Sequence, residues 1–273
     1  MGMWFASKVD RFVVKGAFLN DPQGWRYGFL LGLVPAAFAF AIRYFVEEPS
    51  RWKEHRDEPA RLRELFASDL RRKTLTALGV ATACLVGWWG INGFIPKVME
   101  DWCKGAGVAE AARPALKDGG NDLFILGSVI GTLVTVPLAV TLGRKPTFAL
   151  YFLGALAASD LAFGAETPVA LPIGPTSLDG RLRALFLVGF FVFGVFGLFP
   201  FYLPELFPTR LRGTGAGFCY NTGRLVTAVG VFGIGKLQAQ LGLARAVLCA
   251  SLCYVFGLLV LPFAIETRGQ KLQ

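Results

Sequence analysis

FPFYLPELFPTRLRGTGAGFCYNTGR, residues 199–224, decides how the chain is read. It lies between two runs that carry no charge, 184–198 and 225–235. A hydrophobic helix therefore ends, prolines and arginines turn the chain, and a glycine-rich helix begins. That second helix carries Tyr220, Asn221 and Arg224 inside an apolar segment. A charge is expensive at that depth in a bilayer, so Arg224 is read first as a functional residue.

Composition agrees with a membrane setting. Of 273 residues, 54% are hydrophobic, and long apolar runs recur where a soluble domain would show periodic polar faces. The net charge of +9 fits the Lys and Arg that membrane proteins gather in cytoplasmic loops. No aromatic-basic stripe or zinc spacing points to nucleic acid. Five cysteines, four of them in apolar runs, do not make a disulfide framework. One histidine, His55, lies among charges, so neither a metal site nor a cofactor is expected.

The expected fold is all-α, a multi-pass transmembrane helical bundle. Seven spans are expected, at 25–46, 74–98, 123–143, 147–165, 184–203, 214–235 and 244–265. Each is long enough for a hydrocarbon core of about 30 Å. Residues 1–24 are too charged to span and are read as the remnant of an upstream helix with its outer loop. Residues 25–46 form the first span, with a kink at Pro35. Residues 47–73 form a charged loop, read as an amphipathic surface helix with eight basic residues from Arg51 to Lys73. Residues 74–265 are a six-helix half-domain and 266–273 a tail. Positive-inside places the 47–73 loop and the C-terminus in the cytoplasm, with the cell (inner) membrane as the location.

Several short motifs now resemble one family. Gly24-Trp25-Arg26 opens a span, and Glu48-Pro49-Ser50-Arg51-Trp52 follows it. Gly143-Arg144-Lys145 sits between two spans. Pro204-Glu205-Leu206-Phe207-Pro208-Thr209-Arg210, then Arg212-Gly213, sits between two more, and Glu266-Thr267-Arg268-Gly269 closes the series. In this order and spacing the chain resembles the C-terminal part of a major facilitator superfamily transporter. Its sugar-porter and aromatic-acid/proton symporter branches are the most similar. Val140 and Thr141 stand where the family usually has an Asp-Arg pair, and Ile265 where it has proline. The resemblance implies helices six to twelve of a twelve-helix fold, working by alternating access between two halves. The expected function is secondary, proton-coupled transport of a small organic solute such as an organic acid or sugar, in a chain expected to be incomplete. The partners implied are the lipid bilayer, the solute, a proton, and a missing N-terminal half or a second copy. The alternative is a non-transporting fragment or membrane interaction subunit. Enzymatic chemistry is not expected, since the spans hold no cluster of His, Cys or paired acids.

Candidate site residues follow. Arg224 can grip a carboxylate in bidentate fashion, or pair with another helix. Tyr220 and Asn221, one turn earlier, share its face and bond to solute or to neighbouring helices. Trp88 and Asn92 lie on a helix that lines the family's cavity, and an aromatic interface belt explains Trp88 and its neighbour Trp89 as well. The resemblance assigns Glu205, Arg210, Arg212 and Arg144 to a charge network at the inner gate. Asp160 is an intramembrane acid, a candidate for proton coupling or for a structural role.

Overall fold

The computed structural model describes residues 2–14, 23–46, 60–164 and 177–269, and every regular element in them is helical. The motif at 48–52, the rest of 47–59 and the tail at 270–273 lie outside the described residues. The chain divides into two compact units, Met1–Glu58 and Pro59–Gln273.

In the first unit, helix α1 (Gly2–Val9) runs into a wide turn, Asp10–Val14. The expected first span is two helices, α2 (Gly24–Leu31) and α3 (Leu33–Phe45), parted at Gly32. Pro35 accounts for the break. It cannot donate to the Leu31 carbonyl, and its ring crowds that carbonyl.

The second unit is the bundle. The described part of the charged loop is not the expected amphipathic helix. It is a single 3-10 turn, Leu62–Phe66, followed by α4 (Arg71–Asn92). α4 is the most buried of the spans because Ala, Gly, Thr and Cys cover much of its surface and let neighbours approach. It ends earlier than expected, at Gly93, and a short helix α5 (Ile95–Gly105) opens with Pro96 in its first turn, where no N–H is needed. α6 (Arg113–Thr141) and α7 (Arg144–Ser159) follow, joined across Gly143.

The fifth expected span changes character along its length. α8 (Ser177–Val188) gives way to a π-turn, Gly189–Phe193, and a 3-10 turn, Val195–Leu198, before α9 (Phe199–Glu205). The irregular stretch lies where backbones nearly touch. A Cβ on Gly131 would stand 2.2 Å from the Phe190 carbonyl oxygen, so only glycine fits there. α10 (Arg212–Leu241), α11 (Leu243–Ser251) and α12 (Cys253–Val260) complete the unit. Fully buried rings, among them Phe148, Tyr151, Phe152, Tyr202 and Tyr254, fill its interior.

Among the described residues, six helical segments are long and apolar enough to cross a membrane, which corrects the expected count of seven. The segment left out is 214–235. It lies within the 30 residues of α10, ample in length, but Tyr220, Asn221, Arg224 and its glycines dilute its hydropathy. The residues that mark it as a candidate site are the ones that remove it from the count.

Candidate functional site: an aromatic cavity and a charged end

The face of α10 turned away from the core borders an open cavity of about 610 Å³. Its walls are largely aromatic, with Phe193, Phe196 and Phe199 supplied by the irregular span and Trp88 and Trp89 by α4. The π and 3-10 turns set this lining. A continuous α-helix would place Phe193, Phe196 and Phe199 on a different arc. Tyr220, Asn221 and Arg224 supply the polar wall, so the structure brings these three expected residues together with Trp88. Asn92 is half-buried, near the end of α4, and is not among the lining residues.

Trp88 contributes little more than an edge. It is 7% exposed, stacked on Phe124 at 5.8 Å and tilted against Phe193 at 4.6 Å. Trp89 is 43% exposed and gives the cavity its more open ring.

Arg224 lies twelve residues into α10, about 18 Å along its axis. Its side chain is exposed, and its guanidinium carbon sits 5.9 Å from the centroid of the Tyr220 ring. No acid pairs with it among the described residues. The Tyr220 ring is in turn held edge-on by Phe199 at 6.0 Å. The Asn221 amide donates to the Gly217 carbonyl at 2.9 Å, which fixes its orientation on the exposed face. An arginine whose near neighbour is one π face keeps its hydrogen-bond donors available.

The other expected group gathers at one end of the bundle. Arg144 grips Glu205 through two nitrogens, Nη2 to Oε1 at 2.7 Å and Nε to Oε2 at 3.2 Å, and Nη1 donates to the Ala139 carbonyl at 3.0 Å. The Thr267 hydroxyl donates to the same carboxylate. Glu266 accepts from the backbone N–H groups of Arg144 and Lys145, both at 2.9 Å, and so caps the start of α7. Burial acts to raise the Glu266 pKa, but the amides of Arg144, Lys145, Arg268 and Thr267 outweigh it and hold the carboxyl below its usual range. Gly143 makes the cap possible. Its φ is +105°, and a Cβ there would lie 2.9 Å from Glu266 Oε2.

Arg210 and Arg212 do not join Arg144 and Glu205 directly. Arg210 pairs with Glu64, and that hydrogen bond is the main cause holding the Glu64 carboxyl below its ordinary value. Arg212 donates Nε to the Phe207 carbonyl at 3.3 Å. Asp160 is exposed at the far end of α7, sixteen residues from Arg144, and lines neither group.

Sequence reasoning passed over Glu64, Glu266, Thr267 and the phenylalanines of the irregular span. Glu64 was one acid among seven in a charged loop. Its signal was local: it accepts from the Arg61 N–H at 3.0 Å to cap a short turn, which fixes it opposite Arg210. Thr267 and Glu266 lay within a quoted motif. Phe193 and Phe196 had no signal in an apolar run.

Comparison with known proteins agrees with this architecture. The family model described as Major Facilitator Superfamily matches residues 13–231. A probable 4-methylmuconolactone transporter of Cupriavidus pinatubonensis is 32% identical over 93% of this chain and 56% of its own length. A cis,cis-muconate transport protein of Acinetobacter baylyi is 28% identical over 91% of this chain and 59% of its own length. The sialic acid transporter NanX of Escherichia coli is 28% identical over 80% of this chain and 53% of its own. The chain thus spans a little over half the length of the curated relatives it matches. It is a membrane-spanning helical protein that belongs to the major facilitator superfamily, a family of transporters rather than of enzymes.

Proposed function

We propose that this chain supplies the second half, with one preceding helix, of a secondary transporter that carries a small organic acid. Arg224 is the group that receives the acid's carboxylate. The observation that carries this reading is an exposed arginine, unpaired with any described acid, in the wall of an aromatic cavity. A guanidinium presents a planar fork of donors that matches a carboxylate, and aromatic walls suit a flat, unsaturated carbon skeleton. Two similar proteins are named for muconate and a methylmuconolactone, which supports a carboxylate-bearing substrate over a neutral sugar.

In this reading the Arg144–Glu205 and Arg210–Glu64 groups, with Arg212 beside them, hold the cytoplasmic end closed, and the two halves rock about the cavity. In this reading transport is proton-coupled, and Asp160, exposed at the end of α7, serves either the proton or the structure of its span. The protein sits in the cell membrane with the 47–73 loop and the C-terminus in the cytoplasm, because the basic residues of that loop dominate the charge asymmetry.

The test is uptake into vesicles carrying this chain joined to the first half of the Cupriavidus relative. Labelled cis,cis-muconate, 4-methylmuconolactone, sialic acid and glucose are offered with and without a proton gradient. Saturable, gradient-driven uptake of an acid, abolished in Arg224→Ala, is the expected result. Uptake indifferent to Arg224 would overturn the site assignment. No uptake of any solute by correctly inserted protein would favour a membrane subunit that does not transport.

A further inference from the structure

A second groove lies on the surface of the second unit, away from Arg224. It runs between α4 and α12 and encloses about 640 Å³, a volume in the range of ligand sites. Its long wall is apolar and open. Phe256, Leu259 and Phe263 recur at helical spacing on one face, with Leu259 67% exposed, and Leu75 faces them from α4. The groove narrows where the helices touch, since a Cβ on Gly79 would stand 3.0 Å from Val260.

One end of this apolar trough carries cations. Arg71 and Arg72 line it, and Lys73 follows them in the chain. The first turn of α4 holds no acid. The Arg71 side chain is exposed and makes no ion pair or hydrogen bond among the described residues, while its backbone N–H donates to the Ala67 carbonyl at 2.8 Å. Arg72 is steered by a single bond from Nε to the Phe263 carbonyl at 3.0 Å, which holds its guanidinium at the groove's mouth. Thr76, the polar side chain at mid-wall, bonds back to the Arg72 and Lys73 carbonyls at 2.9 and 3.1 Å, so it asks for no outside partner.

An exposed apolar trough between membrane-spanning helices, closed at one end by two arginines, matches one chemistry. It is an acyl chain joined to an anionic head group. We infer that this groove binds an anionic phospholipid, with its phosphate on Arg71 and Arg72 and one acyl chain along Phe256, Leu259 and Phe263. Charge complementarity decides the occupant. A zwitterionic lipid gives up part of the attraction, and a soluble anion leaves the apolar wall uncovered. Other exposed apolar strips, such as Leu225, Val229 and Phe232 on α10, have no such pair of arginines at their end. This inference does not depend on the transport reading.

The test uses the whole chain in lipid nanodiscs with a phosphatidylglycerol that carries a photoreactive acyl chain. Adducts are located by peptide mass spectrometry. Label is expected to concentrate on 252–263 and to be displaced by unlabelled phosphatidylglycerol. Phosphatidylcholine and inorganic phosphate should displace it poorly. Arg71→Gln, at an exposed side chain that bonds to nothing described, should weaken retention about fivefold. Leu259→Trp should block labelling by filling the trough while leaving the charge in place. Lys236→Gln, on the far part of α10, should change nothing. Equal labelling of every apolar strip, equal displacement by phosphatidylcholine, or indifference to Arg71→Gln would overturn the inference. So would displacement by inorganic phosphate alone, which would mean a simple anion site. Absence of label from the groove, as when another protein segment covers it, would overturn it too.

Discussion

Arg144 and Arg224 lie in the same compact unit, and their surroundings are opposite. Arg144 is 14% exposed in its side chain, bonded to Glu205 by two nitrogens and to the Ala139 carbonyl by a third, with the Phe201 ring 5.3 Å from its guanidinium carbon. Arg224 is exposed and meets one tyrosine ring. The difference shows which charge the fold uses for itself. A guanidinium whose donors are taken by its own chain ties elements together. One left open in an apolar wall is available to something that is not part of the chain.

The largest expected effect tests the closed side of this contrast. Arg144→Ala leaves Glu205, whose side chain is 16% exposed in the intact pair, without its cation, a change that costs about 3 kcal/mol when a buried pair is broken. Unfolding in detergent micelles, followed by helical circular dichroism, should show that loss. The double substitution Arg144→Met with Glu205→Leu should recover most of it, since removing both charges leaves neither unpaired. Arg224→Ala should move the same unfolding curve by less than about 0.5 kcal/mol. Equal losses at the two arginines would erase the contrast.

The open side is tested by binding. A hydrogen bond to a charged group contributes about 1.5–3 kcal/mol, so Arg224→Ala should weaken binding of cis,cis-muconate by about tenfold to a hundredfold. Arg224→Lys should fall between, because an ammonium keeps the charge but lacks the fork. Equilibrium binding to protein in nanodiscs measures both. Unchanged affinity in Arg224→Ala would show that the arginine's openness serves some other end.

These two arginines also show what was legible in the sequence. Arg224 was visible because a charge within an apolar run is rare, and its depth followed from counting residues along a helix. Arg144 and Glu205 were visible through motif resemblance, though nothing in the order of residues says that Arg210 faces Glu64 instead of sharing their carboxylate. Helix positions were readable from apolar runs. Helix regularity was not: the π and 3-10 turns from Gly189 to Leu198 arise from contact with the backbone of α6, a tertiary cause. The same holds for Trp88. The resemblance placed it on a cavity-lining helix, whereas the structure packs its ring on Phe124 and Phe193 and leaves it 7% exposed. The expected count of seven spans fell to six at α10, where Tyr220, Asn221, Arg224 and the glycines lower the hydropathy of the whole segment.

A smaller effect sharpens the closed side. Gly143→Ala forces a Cβ into a φ of +105° and toward Glu266 Oε2. With ψ at 167° this is an extended, positive-φ conformation that essentially only glycine adopts, and the backbone term alone costs about 1–3 kcal/mol. Moving the Glu266 carboxylate should also loosen the cap on α7, so the loss should shrink in a Glu266→Gln background. A full, unshrunken loss there would separate the glycine's strain from the cap.

The smallest effect is one of pH, and it divides the two regions most cleanly. Glu266 and Glu64 are both held below the ordinary value of 4.5 in the folded protein, Glu266 by backbone amides that overcome its burial and Glu64 chiefly by Arg210. A depressed folded pKa means that the unfolded chain takes up protons first as pH falls. The stability these carboxylates contribute is therefore fully present well above 4.5 and is lost as pH falls from there through each folded pKa. The unfolding midpoint should be flat near neutral pH and decline below about 4.5. Glu266→Gln should flatten that decline more than Glu64→Gln, because the Glu64 pair is more open to solvent and more screened. Arg224→Ala should leave the pH curve unchanged, since no described acid is paired with it. A decline altered by Arg224→Ala would mean that the cavity arginine is tied to a carboxylate of its own chain, and the two regions would then differ in degree only.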